Sequence, residues 1–157
     1  MKEQWQSAFG QMTYGIYVLT TRKEDAVNGM IASWVTQVSY DPPLIMAAVH
    51  PNRYSHDMIV TTRAFGLHII DQSQKDLLKR FKGPDPMEKF AGMDWTPGIS
   101  GVPILTDCLA WFELEMIEQH QPGNHTLFVA KVVDAGVHSE DTPLTTLDYE
   151  GMYTGKK

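Results

Sequence analysis

Ser33, Thr36 and Ser39 recur every third residue in VNGMIASWVTQVSYDPPLIMAAVH, Val27 to His50, with Trp34 set among them. Their hydroxyls can hydrogen-bond the edge of a planar polar ligand. Trp34 offers an aromatic surface to its face, and Gly29 and Ala32 let a flat ring lie close to backbone. The stretch breaks at Pro42-Pro43 and resumes as the apolar run Leu44 to Val49. HPNRYSH, His50 to His56, follows and stands between that run and a helix start. Helix N-terminal N–H groups, Arg53 and Ser55 together make an anion site there. An edge strand with one solvated face explains residues 27–40 as well, and an exposed helix residue explains Arg53. Residue types alone leave both readings open.

Other chemistries find no support. The sequence has no Walker loop, no G-x-G-x-x-G after a strand, no H-E-x-x-H and no G-x-S-x-G elbow. Ser55-His56-Asp57 carries the letters of a triad, but chain neighbours point in different directions. His50, His56, His68, His120, His125 and His138 contain no i, i+4 pair for a metal and read as scattered surface or loop residues. Cys108 is the only cysteine, which excludes an internal disulfide. A net charge of -6 argues against nucleic acid and anionic membranes as partners. The N-terminus lacks the apolar region of a signal peptide and no segment has the length of a membrane span, so the cytoplasm is the expected compartment. What remains is chemistry carried by a cofactor. A flavin needs hydrogen bonds at its ring edge, a flat neighbour for its ring face and an anion site for its phosphate.

The elements that must position these residues are mostly strands. With 157 residues, 43% of them hydrophobic, one domain over 1–157 is expected. Residues 3–12 suit a short amphipathic helix with Trp5, Ala8, Phe9 and Met12 on one side. GIYVLTT reads as a strand and RKEDAVNG as a turn-bearing loop. MIASWVTQVSY alternates as one or two strands, with Ile31, Ser33, Val35 and Gln37 opposite Ala32, Trp34, Thr36 and Val38. LIMAAVH and AFGLHII are further strands. Between them a helix is expected, with Asn52 or Ser55 as its N-cap. SQKDLLKRF and DPMEKFAG read as short helices, and WTPGISGVPILTD as a loop. In CLAWFELEMIEQH, Phe112, Leu114 and Met116 face inward, Glu113 and Glu115 outward. A Pro-Gly turn at 121–125 joins it to LFVAKVVDAGV as an antiparallel hairpin. No βαβ rhythm is present, so a closed or nearly closed antiparallel barrel with peripheral helices fits best.

NGMIASWVTQVSYDPPLIMAAVHPNRYSHDMI resembles the signature segment of the flavin reductase-like, FMN-binding split-barrel proteins. FGLHII, GNHTLFVAKVVDAG and the terminal YEGMY match further family segments in order, so the resemblance covers nearly the whole chain. ASWVTQVS in particular resembles the branch with flavoredoxins, the flavin reductase module of cyanobacterial flavodiiron proteins and the high-molecular-weight rubredoxins. The resemblance implies a mainly β fold, a six-stranded antiparallel Greek-key split barrel with short peripheral helices. It also implies a homodimer with FMN bound noncovalently near the subunit interface. Met30, Ile31, Ala32, Ser33, Trp34 and Thr36 would then line the ring and ribityl chain. Val49, His50, Asn52, Arg53 and Ser55 would hold the phosphate end, and His125 would lie beside the ring and the nicotinamide. Asn124 stands where the family more often has Asp, and Met152 where many members have Arg.

Two activities follow from the resemblance. One is an NAD(P)H:flavin oxidoreductase, with NADH or NADPH as transient donor. The other is a flavoredoxin-type carrier whose FMN exchanges electrons with rubredoxin, ferredoxin or a flavodiiron protein on a separate chain. A non-catalytic flavin- or haem-binding module is a third possibility. From the residues alone, His125 in its Pro-Gly turn serves structure as readily as function.

Overall fold

The computed structural model describes residues 1–148. YEGMY, with Met152, lies outside the described residues. The chain opens with helix α1 (Glu3–Phe9), none of whose residues is buried. Trp5 and Phe9, and Met12 just beyond, are more than half exposed, so the expected apolar side exists but meets no core among the described residues.

Strands β1 (Tyr17–Lys23) and β2 (Ala26–Ala32) form a hairpin over the turn Glu24-Asp25. Glu24 takes φ 55° there, the left-handed geometry that tight hairpin turns use. RKEDAVNG is therefore not a loop: its charged residues sit at an exposed hairpin tip, where pairing needs no apolar side chain. β3 (Val35–Ser39) and β4 (Leu44–Val49) form the next antiparallel pair. Helix α2 (Tyr54–Thr62) leads into β5 (Ala64–Ile69). Then come α3 (Asp76–Lys82), α4 (Pro86–Lys89) and two short strands, β6 (Trp95–Pro97) and β7 (Pro103–Leu105), in the segment expected to be a loop. The long strands β8 (Ala110–His120) and β9 (Thr126–Val137) form the expected hairpin.

Among the described residues, seven strands make one antiparallel sheet in the order β2-β1-β5-β8-β9-β4-β3. Its two edge strands are consecutive in the chain, separated only by Ser33 and Trp34. A sheet whose edges are tied by two residues must curl until they meet. The Ala48 N–H bonds the Trp34 carbonyl at 2.9 Å across this break. With β2 and β3 counted as one broken strand, the barrel has six strands, and β1 pairs with β5 in the Greek-key manner. The break also ends the simple alternation expected through residues 31–38.

β1 is buried on both faces. Leu19 points into the barrel with Phe65, Leu67, Leu114, Met116 and Phe128. Val18 points outward, under Leu77, Leu78 and Phe81 of α3 and Phe90 just after α4. This outer layer places α3 and α4 against β2, beside the strand break. Glu113, expected to face water, is fully buried. The loop after β6 covers it, and its carboxylate accepts the Ile99 and Ser100 N–H groups at 2.6 and 3.2 Å. His68 is likewise not a surface histidine but fully buried. No helix among the described residues is long and apolar enough to cross a membrane.

Candidate functional site

A cleft of about 250 Å³ opens where the broken strand, the end of β4, the start of α2 and the α3–α4 segment converge. Met30, Ile31, Ala32, Ser33 and Trp34 form one wall; Ala48, His50, Asn52, Arg53, Tyr54 and Ser55 form the next. The break at Ser33-Trp34 matters here. Met30 and Ala32 pack on the barrel core and Ile31 on the outer layer, alternating as a strand does, and the break adds Ser33 and Trp34 to the lining.

The site is aromatic. The His125 ring lies 4.7 Å from that of Trp34, tilted by 48°, and 5.1 Å from that of His50, edge to face. His125 is buried, and its Nδ1 lies 2.8 Å from Asn124 Oδ1. Burial, and then the charges of His50 and Arg53, hold its pKa below the ordinary histidine value.

The site is also cationic. Arg53 is the N-cap of α2, with extended backbone and no side-chain cap bond, so neither Asn52 nor Ser55 fills that role. Ser55 is fully buried instead. Its hydroxyl accepts from Asn28 Nδ2 at 2.8 Å and lies 3.3 Å from Thr21 Oγ1. This anchors the first turn of α2 to the β1–β2 hairpin. Lys89, from α4, reaches the same network: its Nζ donates to Asn28 Oδ1 at 3.0 Å and to the Gly29 carbonyl at 2.8 Å. Burial, and then the charge of Arg53, lower its pKa. Lys82 also lines the cleft, although its KRFK context reads as a solvated helix face.

Ten of the expected residues thus meet around one cleft: Met30, Ile31, Ala32, Ser33, Trp34, His50, Asn52, Arg53 and Ser55 in its walls, with His125 against Trp34 and His50. Two lie elsewhere. Val49 is in the barrel core, and Thr36 lines a separate apolar pocket at the barrel mouth with Tyr17, Val35 and Phe112. Asn28, Lys82 and Lys89 escape sequence reading. Lys89 stands in a short charged segment that resembles solvated surface, and only the fold brings it to Gly29.

Residues 9–157 match the flavin reductase like domain. The chain belongs to the flavin reductase like family. It is 31% identical over 153 residues to the ferric-chelate reductase (NAD(P)H) of Archaeoglobus fulgidus, covering 95% of this chain and 90% of the relative. It is 30% identical over 152 residues to the high molecular weight rubredoxin of Moorella thermoacetica, covering 94% of this chain but 66% of that protein. The crystal structure of nitrilotriacetate monooxygenase component B from Mycobacterium thermoresistibile superposes with a TM-score of 0.83 at 28% identity, over 90% of this chain and 80% of that one.

The residues of this family member fit a flavin. A cleft bordered by the rings of Trp34, His50 and His125 and by Arg53, Lys82 and Lys89 suits a flat heteroaromatic ring joined by a polar chain to a phosphate. Ala32 and Ala48 put only small side chains in the lining, and Met30 and Ile31 supply apolar wall.

Proposed function

We propose that this protein is an NAD(P)H-dependent flavin reductase that binds FMN in the Trp34–Arg53 cleft. One flavin-binding domain over residues 1–157 and a homodimeric assembly belong to the same reading. The observation that carries it is one cleft that combines the rings of Trp34, His50 and His125 with the cations Arg53 and Lys89, in a chain of this family. A bound flavin supplies the hydride-accepting chemistry. The protein's share is to hold the phosphate with Arg53 and Lys89, to lay the ring against the Met30–Trp34 wall, and to shield its reacting face beside His125. No side chain has to deliver a proton before hydride transfer, which suits a buried, neutral His125. FMN rather than FAD is supported by one compact set of cations at the cleft and by the lack of a dinucleotide fingerprint.

The match to a rubredoxin favours a second reading, an electron carrier whose FMN serves a separate redox protein. One experiment separates the two. The purified protein, reconstituted with FMN, is titrated anaerobically with NADH and NADPH while its absorbance is followed. Stoichiometric bleaching supports the reductase; bleaching by dithionite alone supports the carrier. Mass spectrometry of the heat-released chromophore identifies the flavin, and FAD as the main species sinks the FMN assignment.

A further inference from the structure

We propose that Asn124 is the positioning residue for His125, fixing the imidazole proton on Nδ1 and keeping the ring uncharged while it faces the cleft. This rests on the flavin reading for its consequence but not for its geometry. The backbone after His125 is already pinned. Thr126 opposes Val49 in the β4–β9 ladder, is buried, and its hydroxyl meets His56 Nε2 at 2.8 Å. The side chain of Asn124 then acts on the ring itself, its Oδ1 accepting from Nδ1 at 2.8 Å. An amide oxygen accepts that proton without adding a negative charge.

The charge on the ring is decided by what surrounds it. Among the described residues, the charged groups that lower the pKa of His125 are His50 from the end of β4 and Arg53 from the start of α2, and both disfavour an imidazolium. Burial acts in the same direction. A carboxylate at position 124 reverses the balance, since it accepts the same hydrogen bond and pairs with the charged ring. Asparagine is thus the choice that orients the histidine without ionising it. The consequence for function follows from charge. Hydride donation leaves the nicotinamide ring cationic, and an uncharged imidazole beside the cleft does not repel that product.

The test begins on flavin-free protein, so it does not depend on the flavin reading. Ring ¹⁵N–¹H correlation spectra, with His125→Gln to assign the signal, report tautomer and titration. Wild-type protein is expected to show the Nδ1–H tautomer at neutral pH. Asn124→Asp is expected to raise the titration midpoint of His125 by about 1–3 pH units, the range for a carboxylate beside an ionisable group. Asn124→Ala, with its fold checked by circular dichroism, is expected to lose the tautomer preference. An Nε2–H tautomer in the wild type, or an unmoved midpoint in Asn124→Asp, overturns the proposal. The second arm uses FMN-loaded protein. In Asn124→Asp the pH profile of kcat/KM for NAD(P)H oxidation is expected to gain a limb that tracks the NMR midpoint. A uniform loss at every pH marks Asn124 as a turn residue only and also overturns it. Wild-type protein that oxidises no NAD(P)H refutes the reductase reading instead and leaves the spectroscopic arm standing.

Discussion

Lys89 Nζ lies 3.0 Å from Asn28 Oδ1, and among the described residues no carboxylate pairs with it. A buried ammonium held only by neutral oxygens keeps an uncompensated charge. In this protein that charge borders the same cleft as Arg53, whose field already lowers the lysine's pKa after burial has done so. Two like charges converging without a counter-ion are relieved by an anionic ligand. Lys89→Met is expected to weaken FMN binding by about ten- to a hundredfold, the worth of one charge-assisted hydrogen bond. Wild-type affinity should also fall as pH rises through the lysine's lowered pKa, because the ligand needs the charged form. Fluorescence titration of FMN against pH checks both; a Lys89→Met variant with unchanged affinity moves the anion site elsewhere.

Arg53 caps α2 without a side-chain bond to the helix, so its guanidinium is not spent on local structure. Arg53→Ala is expected to reduce FMN affinity by about ten- to a hundredfold, corresponding to roughly 1.5–3 kcal/mol. The thermal midpoint should hardly change, because the side chain is exposed. Salt should narrow the difference between variant and wild type, since screening weakens exposed charge pairs. A large loss of stability with normal affinity contradicts this assignment.

Glu113 tests the frame rather than the site. Its two oxygens accept the Ile99 N–H at 2.6 Å, and the Ser100 N–H and hydroxyl at 3.2 Å each. Glu113→Gln replaces one oxygen with an amide group that cannot accept, leaving donors facing donors. The expected cost is about 1–3 kcal/mol in chemical denaturation, with FMN affinity unchanged because the loop lies away from the cleft. Wild-type stability in that variant shows the loop to be held by other contacts.

Sequence legibility followed whether a residue's partners lie in its own element or its neighbour's. Trp34 and Arg53 could be singled out because they bracket one hairpin, β3 and β4, and the Pro pair inside it marks where the chain must turn back. The six-stranded barrel was legible through the resemblance, and its hairpins through alternation in β8 and β9. Lys89, Asn28 and Glu113 were not. Each is a polar residue whose burial is created by a segment outside its own element: Lys89 is 60 residues from Gly29, and Glu113 is covered by the loop containing Ser100. Hydropathy assigns such residues to solvent because it prices them unpaired. In the turn-bearing segment RKEDAVNG the strand pairing, not the turn, was hidden: charged residues at a hairpin tip look like a loop, although the ladder runs through to Lys23 and Ala26.

His68 gives the protein an acid-sensitive joint. Buried between sheet layers, its Nδ1–H donates to the Val18 carbonyl at 3.0 Å and its Nε2 accepts the Leu105 N–H at 3.0 Å. Both bonds together need the neutral ring, since an imidazolium has no acceptor nitrogen. Burial accordingly pushes its pKa down from 6.5 to about 4. The sign follows from linkage: the unfolded chain takes up this proton first as pH falls. The neutral ring's contribution is therefore fully present above about pH 6.5 and is lost as pH drops towards 4, amounting to roughly 3 kcal/mol. Urea unfolding at pH 7, 5.5 and 4 should show that decline in the wild type. His68→Gln can donate through its amide and accept through its carbonyl, yet it does not titrate. It should be less stable at pH 7 but with a flatter dependence on pH. Parallel pH profiles for the two proteins would place the acid sensitivity in the carboxylates rather than in the bridge from β1 to β7.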